Sequence, residues 1–204
     1  MKTISCMNIE PETLYSYGGE KKTYKQKEII YREGDHATYY YQILQGKVKL
    51  NSYNEEGKEF IQNIIGGNQS FGDSLLFLEK FYVMNAICLV ESEIIRLPKN
   101  NFLELLENNP KISLEMNACL SQRLYFKAIM LQNMSSPNPV LRLEGLLNYL
   151  KSYHDGDCEQ CFPVELTRQQ IANLTGLRVE TVIRNLKKME KLGKLKIQDR
   201  KILY

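Results

Sequence analysis

The chain has 204 residues, enough for one large domain or two modest ones, each with its own core. Its 43% hydrophobic and 25% charged residues are ordinary for a soluble protein. The net charge of +3 is unevenly spread: from Glu165 to Tyr204 ten Lys/Arg face four Asp/Glu, giving +6 and leaving residues 1–164 at −3.

Several classes of protein are thereby set aside. No apolar run approaches the ~18 residues that a spanning helix needs, so no membrane partner is expected. The opening MKTISCMNIEPETL lacks a continuous apolar segment, so no secretory signal is expected either. Five scattered cysteines (Cys6, Cys88, Cys119, Cys158, Cys161) do not form a disulfide framework and fit a reducing, cytoplasmic setting. With two histidines and no G-x-S-x-G, P-loop or H-E-x-x-H motif, the chain does not read as an enzyme.

Residues 8–16 read as a short helix. From Thr23 to Leu97 the pattern is β. Lys47-Val48-Lys49-Leu50 alternates cleanly, and further β-rich runs cover Tyr39–Leu44, Phe60–Ile65, Ala86–Val90 and Ile94–Leu97. Turn signals at Glu33-Gly34-Asp35, Gln45-Gly46, Glu55-Glu56-Gly57 and Gly66-Gly67-Asn68 separate them. Many short strands at close spacing predict a small antiparallel barrel or jelly roll over residues 1–109.

The period then changes. Asn109-Pro110 opens a helix over residues 110–134. Leu120, Leu124, Lys127, Leu131 and Met134 alternate steps of four and three along it, the spacing of a coiled-coil seam with one lysine. Ile112, Met116, Phe126, Ile129 and Met130 add a second apolar face. One face is expected on the barrel and the other on a second copy, so residues 110–136 are assigned to dimerisation and hinge, and 137–204 to a further domain. Ser135-Ser136-Pro137-Asn138-Pro139 ends the helix. A helix from about Val140 to Tyr153 follows, then a loop at His154–Asp157 and a strand candidate at Cys161–Glu165.

Leu166 to Gly193 reads as two helices around a glycine turn. Thr167 and Gln170 have capping-box spacing, and Gly176 suits a left-handed helix end. The second helix, about Arg178 to Leu192, has an apolar stripe of Val179, Val182, Leu186 and Met189. Rotated from it stand Glu180, Ile183, Arg184 and Lys187. Lys194–Ile197 and Ile202–Tyr204, around Asp199-Arg200, predict a two-stranded wing. A basic helix-turn-helix of this pattern predicts double-stranded DNA as the partner.

A barrel, a seam helix, a hinge and a winged helix-turn-helix, in that order, resemble the Crp/Fnr family of bacterial transcription regulators. The fold class expected is therefore α+β. The resemblance covers nearly the whole chain and rests on Arg32-Glu33-Gly34-Asp35, Gly46-Lys47-Val48, Phe71-Gly72-Asp73 and Asn109-Pro110. Above all it rests on Thr167-Arg168-Gln169-Gln170-Ile171-Ala172 and Glu180-Thr181-Val182-Ile183-Arg184. It implies that Glu180 and Arg184 read base edges, and their chemistry suits cytosine N4 and guanine O6/N7. Ile183 stands where the family has a small residue; it either meets a thymine methyl or packs the wing. Thr167, Arg168, Gln169, Arg178, Thr181 and Lys187 are assigned to phosphates. Val179 places the motif nearer the oxygen-sensing branch than the catabolite-activator branch.

The barrel departs from the family's nucleotide-binding pattern. That pattern is Phe-Gly-Glu, with an Arg-Ser/Thr pair about ten residues later. Here Phe71-Gly72-Asp73-Ser74 is followed by Phe81-Tyr82-Val83-Met84-Asn85-Ala86, and the Thr-Ser pair of the long helix is replaced by Lys127-Ala128. A buried phosphate without a cation is costly, so cyclic AMP binding is not expected. Gly72, Asp73, Ser74, Asn85 and Lys127 remain as an effector pocket for an unknown small molecule. No cofactor is assigned. Cys158-x-x-Cys161 with His154 offers three ligands where structural zinc wants four, so no metal is assigned. Cys6 alone cannot hold an iron–sulfur cluster, and His36 is read as a loop residue rather than a haem ligand. RNA polymerase is a candidate further partner. The alternatives are a cyclic-nucleotide-responsive or redox/metal-responsive regulator of the same fold, and a ligand- or partner-binding barrel whose winged helix is a protein-interaction module.

Overall fold

The computed structural model describes residues 7–152 and 162–204; Cys6, His154, Cys158 and Cys161 lie outside the described residues. The chain divides into two compact units, the first ending at Ser121 and the second starting at Gln122.

In the first unit, helix α1 (Pro11–Ser16) precedes eight strands: β1 (Glu20–Tyr24), β2 (Ile29–Tyr31), β3 (Tyr39–Gln45), β4 (Lys47–Tyr53), β5 (Glu59–Gly66), β6 (Ser70–Phe71), β7 (Asn85–Cys88) and β8 (Ser92–Pro98). They form two four-stranded antiparallel sheets, ordered β1-β8-β3-β6 and β2-β7-β4-β5. The alternation along β4 turns Val48 into the core, where it joins Ile43, Phe71, Ile94 and Leu97. This is the expected antiparallel barrel. Between Leu97 and Pro110, where no element was predicted, lies helix α2 (Lys99–Asn108), which buries Phe102, Leu105 and Leu106. It closes the barrel, with the Phe102 ring stacked on Tyr40 at 4.5 Å.

The segment before α1 is tied to the barrel through Gln42, which is fully buried. The Ile9 N–H and the Tyr40 hydroxyl donate to Gln42 Oε1 at 2.9 and 2.8 Å, and Gln42 Nε2 donates to the Ile9 carbonyl and to Asn8 Oδ1. A buried amide satisfied on both ends fixes one register for the segment.

The expected long helix is α3 (Pro110–Ser135), but its faces are divided differently from the predicted seam. Ile112, Met116, Cys119 and Leu120 pack on the barrel core. Leu120 therefore belongs to the intramolecular face rather than to a seam. Leu114, Leu124 and Leu131 are 70%, 70% and 71% exposed. With exposed Asn117, Ser121 and Ala128 they trace one stripe at steps of three and four. Lys127 flanks this stripe, and the Met134 side chain is outside the described set.

The second unit holds the rest of α3, then α4 (Pro139–Lys151), β9 (Pro163–Val164), α5 (Arg168–Thr175), α6 (Val179–Lys191), β10 (Lys196–Gln198) and β11 (Lys201–Leu203). Asn138 caps α4 by accepting from the Val140 N–H at 3.0 Å, with Pro139 in the first turn. Leu143, Leu146 and Leu147 of α4 are buried with Ile171, Leu174, Val182, Leu186 and Met189. The three short strands form one antiparallel sheet, β10-β11-β9. Among the described residues no helix is long and apolar enough to cross a membrane.

Between β3 and β4, Gly46 has φ +113°, and a Cβ there would stand 2.7 Å from Ser92 Cα and 2.1 Å from Ser92 Oγ. Neither backbone can yield without breaking the two sheets that Ser92 and Lys47 begin. Gly46→Ala should therefore cost on the order of 2–4 kcal/mol in urea unfolding of the full chain; an unchanged midpoint would show that the hairpin can relax.

Candidate nucleic-acid interface

Helix α5 begins on the predicted capping box. Thr167 Oγ1 accepts from the Gln170 N–H at 3.1 Å, and Gln170 Oε1 accepts from the Thr167 N–H at 2.8 Å. It ends at Gly176, whose φ of +68° is open to glycine at no steric cost. The chain is turned there so that the Gly176 and Leu177 N–H groups both return to the Ala172 carbonyl. The Thr175 hydroxyl, fully buried, donates to the Ile171 carbonyl at 2.7 Å. This turn sets how α6 leaves α5.

Arg178 flanks α6 in extended conformation (φ −78°, ψ 145°) and makes no side-chain cap. A helix N-terminus of this kind favours an anion. Val182, Leu186 and Met189 are buried, while Glu180, Ile183, Arg184 and Lys187 are exposed on the other side. Ile183 is 42% exposed, an apolar side chain on an otherwise charged face. Glu180 sits in the first turn and Lys188 and Lys191 in the last, each at the helix end its charge favours.

Of the residues assigned to phosphates, Thr167, Gln169, Arg178 and Lys187 are exposed, while Arg168 and Thr181 are half-buried. The Gln169 amide donates to Asn173 Oδ1 at 2.9 Å, which holds it along α5. Exposed Lys196, Arg200 and Lys201 on the wing were not singled out from sequence, although the +6 of this segment includes them. Their signal was the charge count, which locates a face only once the strands are paired.

In the barrel, Gly72, Asp73 and Ser74 form one turn. The Asp73 carboxylate is 1% exposed and accepts from the Ser70 hydroxyl and the Ser74 N–H, each at 2.8 Å. Gly72 lies against the rings of Tyr41 and Tyr31 and the Tyr82 hydroxyl. Tyr82 stacks on Tyr31 at 3.6 Å, and Tyr41 stacks on Phe71 at 5.0 Å. Burial pushes the Tyr82 phenol well above its ordinary range, with the Asp73 and Asp35 carboxylates adding to the shift. Asn85 accepts from the Glu33 N–H and donates to the Asn51 carbonyl. Lys127 belongs to the second unit. Partial burial lowers its pKa, with Arg123 adding repulsion. Among the described residues no group of His, Cys, Asp and Glu is placed to hold a metal ion.

The sequence matches the model of the cyclic nucleotide-binding domain over residues 21–109 and that of the Crp-like helix-turn-helix domain over residues 141–204. The chain belongs to the Crp/Fnr family. It is 28% identical over 173 residues to the cAMP-activated global transcriptional regulator CRP of Haemophilus influenzae, covering 82% of this chain and 75% of the relative. A CooA mutant from Carboxydothermus hydrogenoformans shares the fold with a TM-score of 0.78 at 20% identity, over 97% of this chain and 87% of that one. The c-di-GMP-responsive regulator CLP of Xanthomonas campestris does so at 0.75 and 19%, over 95% and 98%. This Crp/Fnr member is a transcription regulator with a helix-turn-helix DNA-binding domain, and not an enzyme.

Proposed function

We propose that this regulator acts in the cytoplasm as a homodimer on a palindromic DNA site, with residues 1–109 as sensor, 110–136 as dimerisation helix and hinge, and 137–204 as reader. The observation that carries the reading is the division of α6 into a buried stripe and an exposed face bearing Glu180, Ile183 and Arg184. In the major groove Arg184 donates to guanine O6 and N7, and Glu180, one turn earlier, accepts from cytosine N4. Thr167, Arg168, Gln169, Arg178, Thr181 and Lys187 hold phosphates and set the register.

The exposed stripe of Leu114, Leu124 and Leu131 supports pairing of α3 with its copy, since leucines in water at heptad spacing are stabilised by mutual burial. Two-fold symmetry then places half-site centres about 34–36 Å apart. Regulation follows from assisting or blocking RNA polymerase at that site.

The sensor's signal is a small molecule other than cyclic AMP. Tyr31, Tyr41 and Tyr82 crowd Gly72, the Asp73 carboxylate already has two donors, and Phe81–Ala86 supplies no cation for a cyclic phosphate. Gly72, Asp73, Ser74 and Asn85 are the pocket residues that a different effector would meet, with Lys127 on α3 as a second point of response.

Arg184→Ala should remove discrimination at one base pair per half-site, about 1–3 kcal/mol, while nonspecific binding keeps its salt dependence; equal loss on all sequences would make Arg184 a phosphate contact. Cyclic AMP should leave the thermal midpoint of the full chain unchanged, whereas a concentration-dependent rise would overturn the reading that the effector is not cyclic AMP.

A further inference from the structure

We infer that Arg200, at the tip of the wing, reads the minor groove of A·T-rich DNA bordering each half-site. The inference rests on the DNA-binding reading of the second unit and adds a specificity-determining residue outside the recognition helix.

The first observation is conformational. Gln198 pairs with Lys201, so the β10–β11 loop is the two residues Asp199 and Arg200. Their φ values are 49° and 64°. A two-residue turn with both residues left-handed is the type I′ arrangement, which tolerates Asp at its first position and favours Gly at its second. Elsewhere in the second unit the left-handed positions, 176 and 193, are glycines. Among the described residues, two consecutive non-glycine residues take left-handed backbone only here. A long cation thus stands where the backbone favours glycine, and strain of this kind is a mark of side chains that are put to use.

The second observation is that the tip is held firmly. Ile202 and Leu195 are buried, and β11 pairs with β9. The Ile197 N–H donates to Glu190 of α6 at 3.0 Å, and the Lys194 N–H donates to the Met189 carbonyl at 3.0 Å. The wing is therefore fixed to the helix that enters the major groove, and the position of its tip follows from that of α6.

Chemistry then selects the groove. Lys196 and Lys201, exposed along the strands, can neutralise phosphates without any backbone strain. The Lys194 ammonium is paired with Glu144 on α4. A two-stranded ribbon does not fit a minor groove about 6 Å wide, but one side chain from its tip does. The guanidinium is flat and weakly hydrated, and the narrow minor groove of A·T runs has the enhanced negative potential that attracts it.

The test uses the full chain and a duplex it selects from a random pool, with the bordering base pairs set to A·T, G·C or inosine·C. Inosine·C keeps the major-groove face of G·C but lacks the minor-groove amino group. The wild-type chain should bind the A·T and inosine·C flanks about fivefold more tightly than G·C. Arg200→Gly should raise the thermal midpoint, because strain is relieved, yet lose that preference. An R200G chain that weakens equally on all three flanks, or a wild-type chain indifferent to them, would overturn the proposal. Failure to select any duplex would instead sink the DNA-binding reading on which it rests.

Discussion

Burial of Val182, Leu186 and Met189 is the constraint on which the rest of the reader depends. A helix in a groove is useful only if its rotation about its own axis is fixed. Each of these side chains contributes roughly 1.5–3 kcal/mol when removed from water. Turning α6 by about one residue would withdraw that stripe and push Glu180 or Arg184 toward an apolar core without a partner, which costs more still. The face presented outward is thus dictated by the face turned inward. The Gly176 turn and the buried Thr175 hydroxyl extend the same control to the angle between α5 and α6.

A second consequence concerns α3, which meets two demands along one cylinder. Near its start, Ile112, Met116 and Cys119 close the barrel. The stripe of Leu114, Leu124 and Leu131 is left in water. Further along, Phe126 packs edge-on against Tyr149 of α4 at 4.6 Å, giving the second unit its own hold on the helix. Each unit thus packs on its own part of α3, and the leucine stripe runs alongside both sets of contacts on the uncovered face of the helix. Lys127 beside that stripe has its pKa lowered by partial burial, with repulsion from Arg123 adding to the shift.

Much of this was legible in the sequence where chemistry is local. The Thr167/Gln170 box, the Gly176 turn and the apolar stripe of α6 depend on residues within one or two turns of each other, and each forms where expected. Helix α2 was missed because Lys99-Asn100-Asn101 supplies no side-chain cap and a strand runs directly into it at Pro98. The exposed stripe on α3 is offset from the predicted seam for another reason: steps of three and four fit two adjacent faces, and only packing shows that Leu120 faces the barrel. The tyrosines around Gly72 come from residues 31, 41 and 82, so no window of sequence could reveal their stacking. Likewise Asp199-Arg200 reads as an ordinary turn until both φ values are seen to be positive.

The barrel and the reader therefore differ in how closely they keep to the family pattern. The reader keeps its carboxylate and guanidinium one turn apart on a fixed face. The barrel keeps Phe71-Gly72 but carries Asp73 where the nucleotide-binding pattern has glutamate, and Tyr31, Tyr41 and Tyr82 lie around that turn, which leaves the proposed pairing of two readers as the central claim. Its most direct test is the stoichiometry and footprint of the full chain on a selected duplex, by sedimentation and hydroxyl-radical cleavage. The account predicts two chains per duplex and two protected patches with centres about 34–36 Å apart. One chain per duplex with a single patch would contradict it.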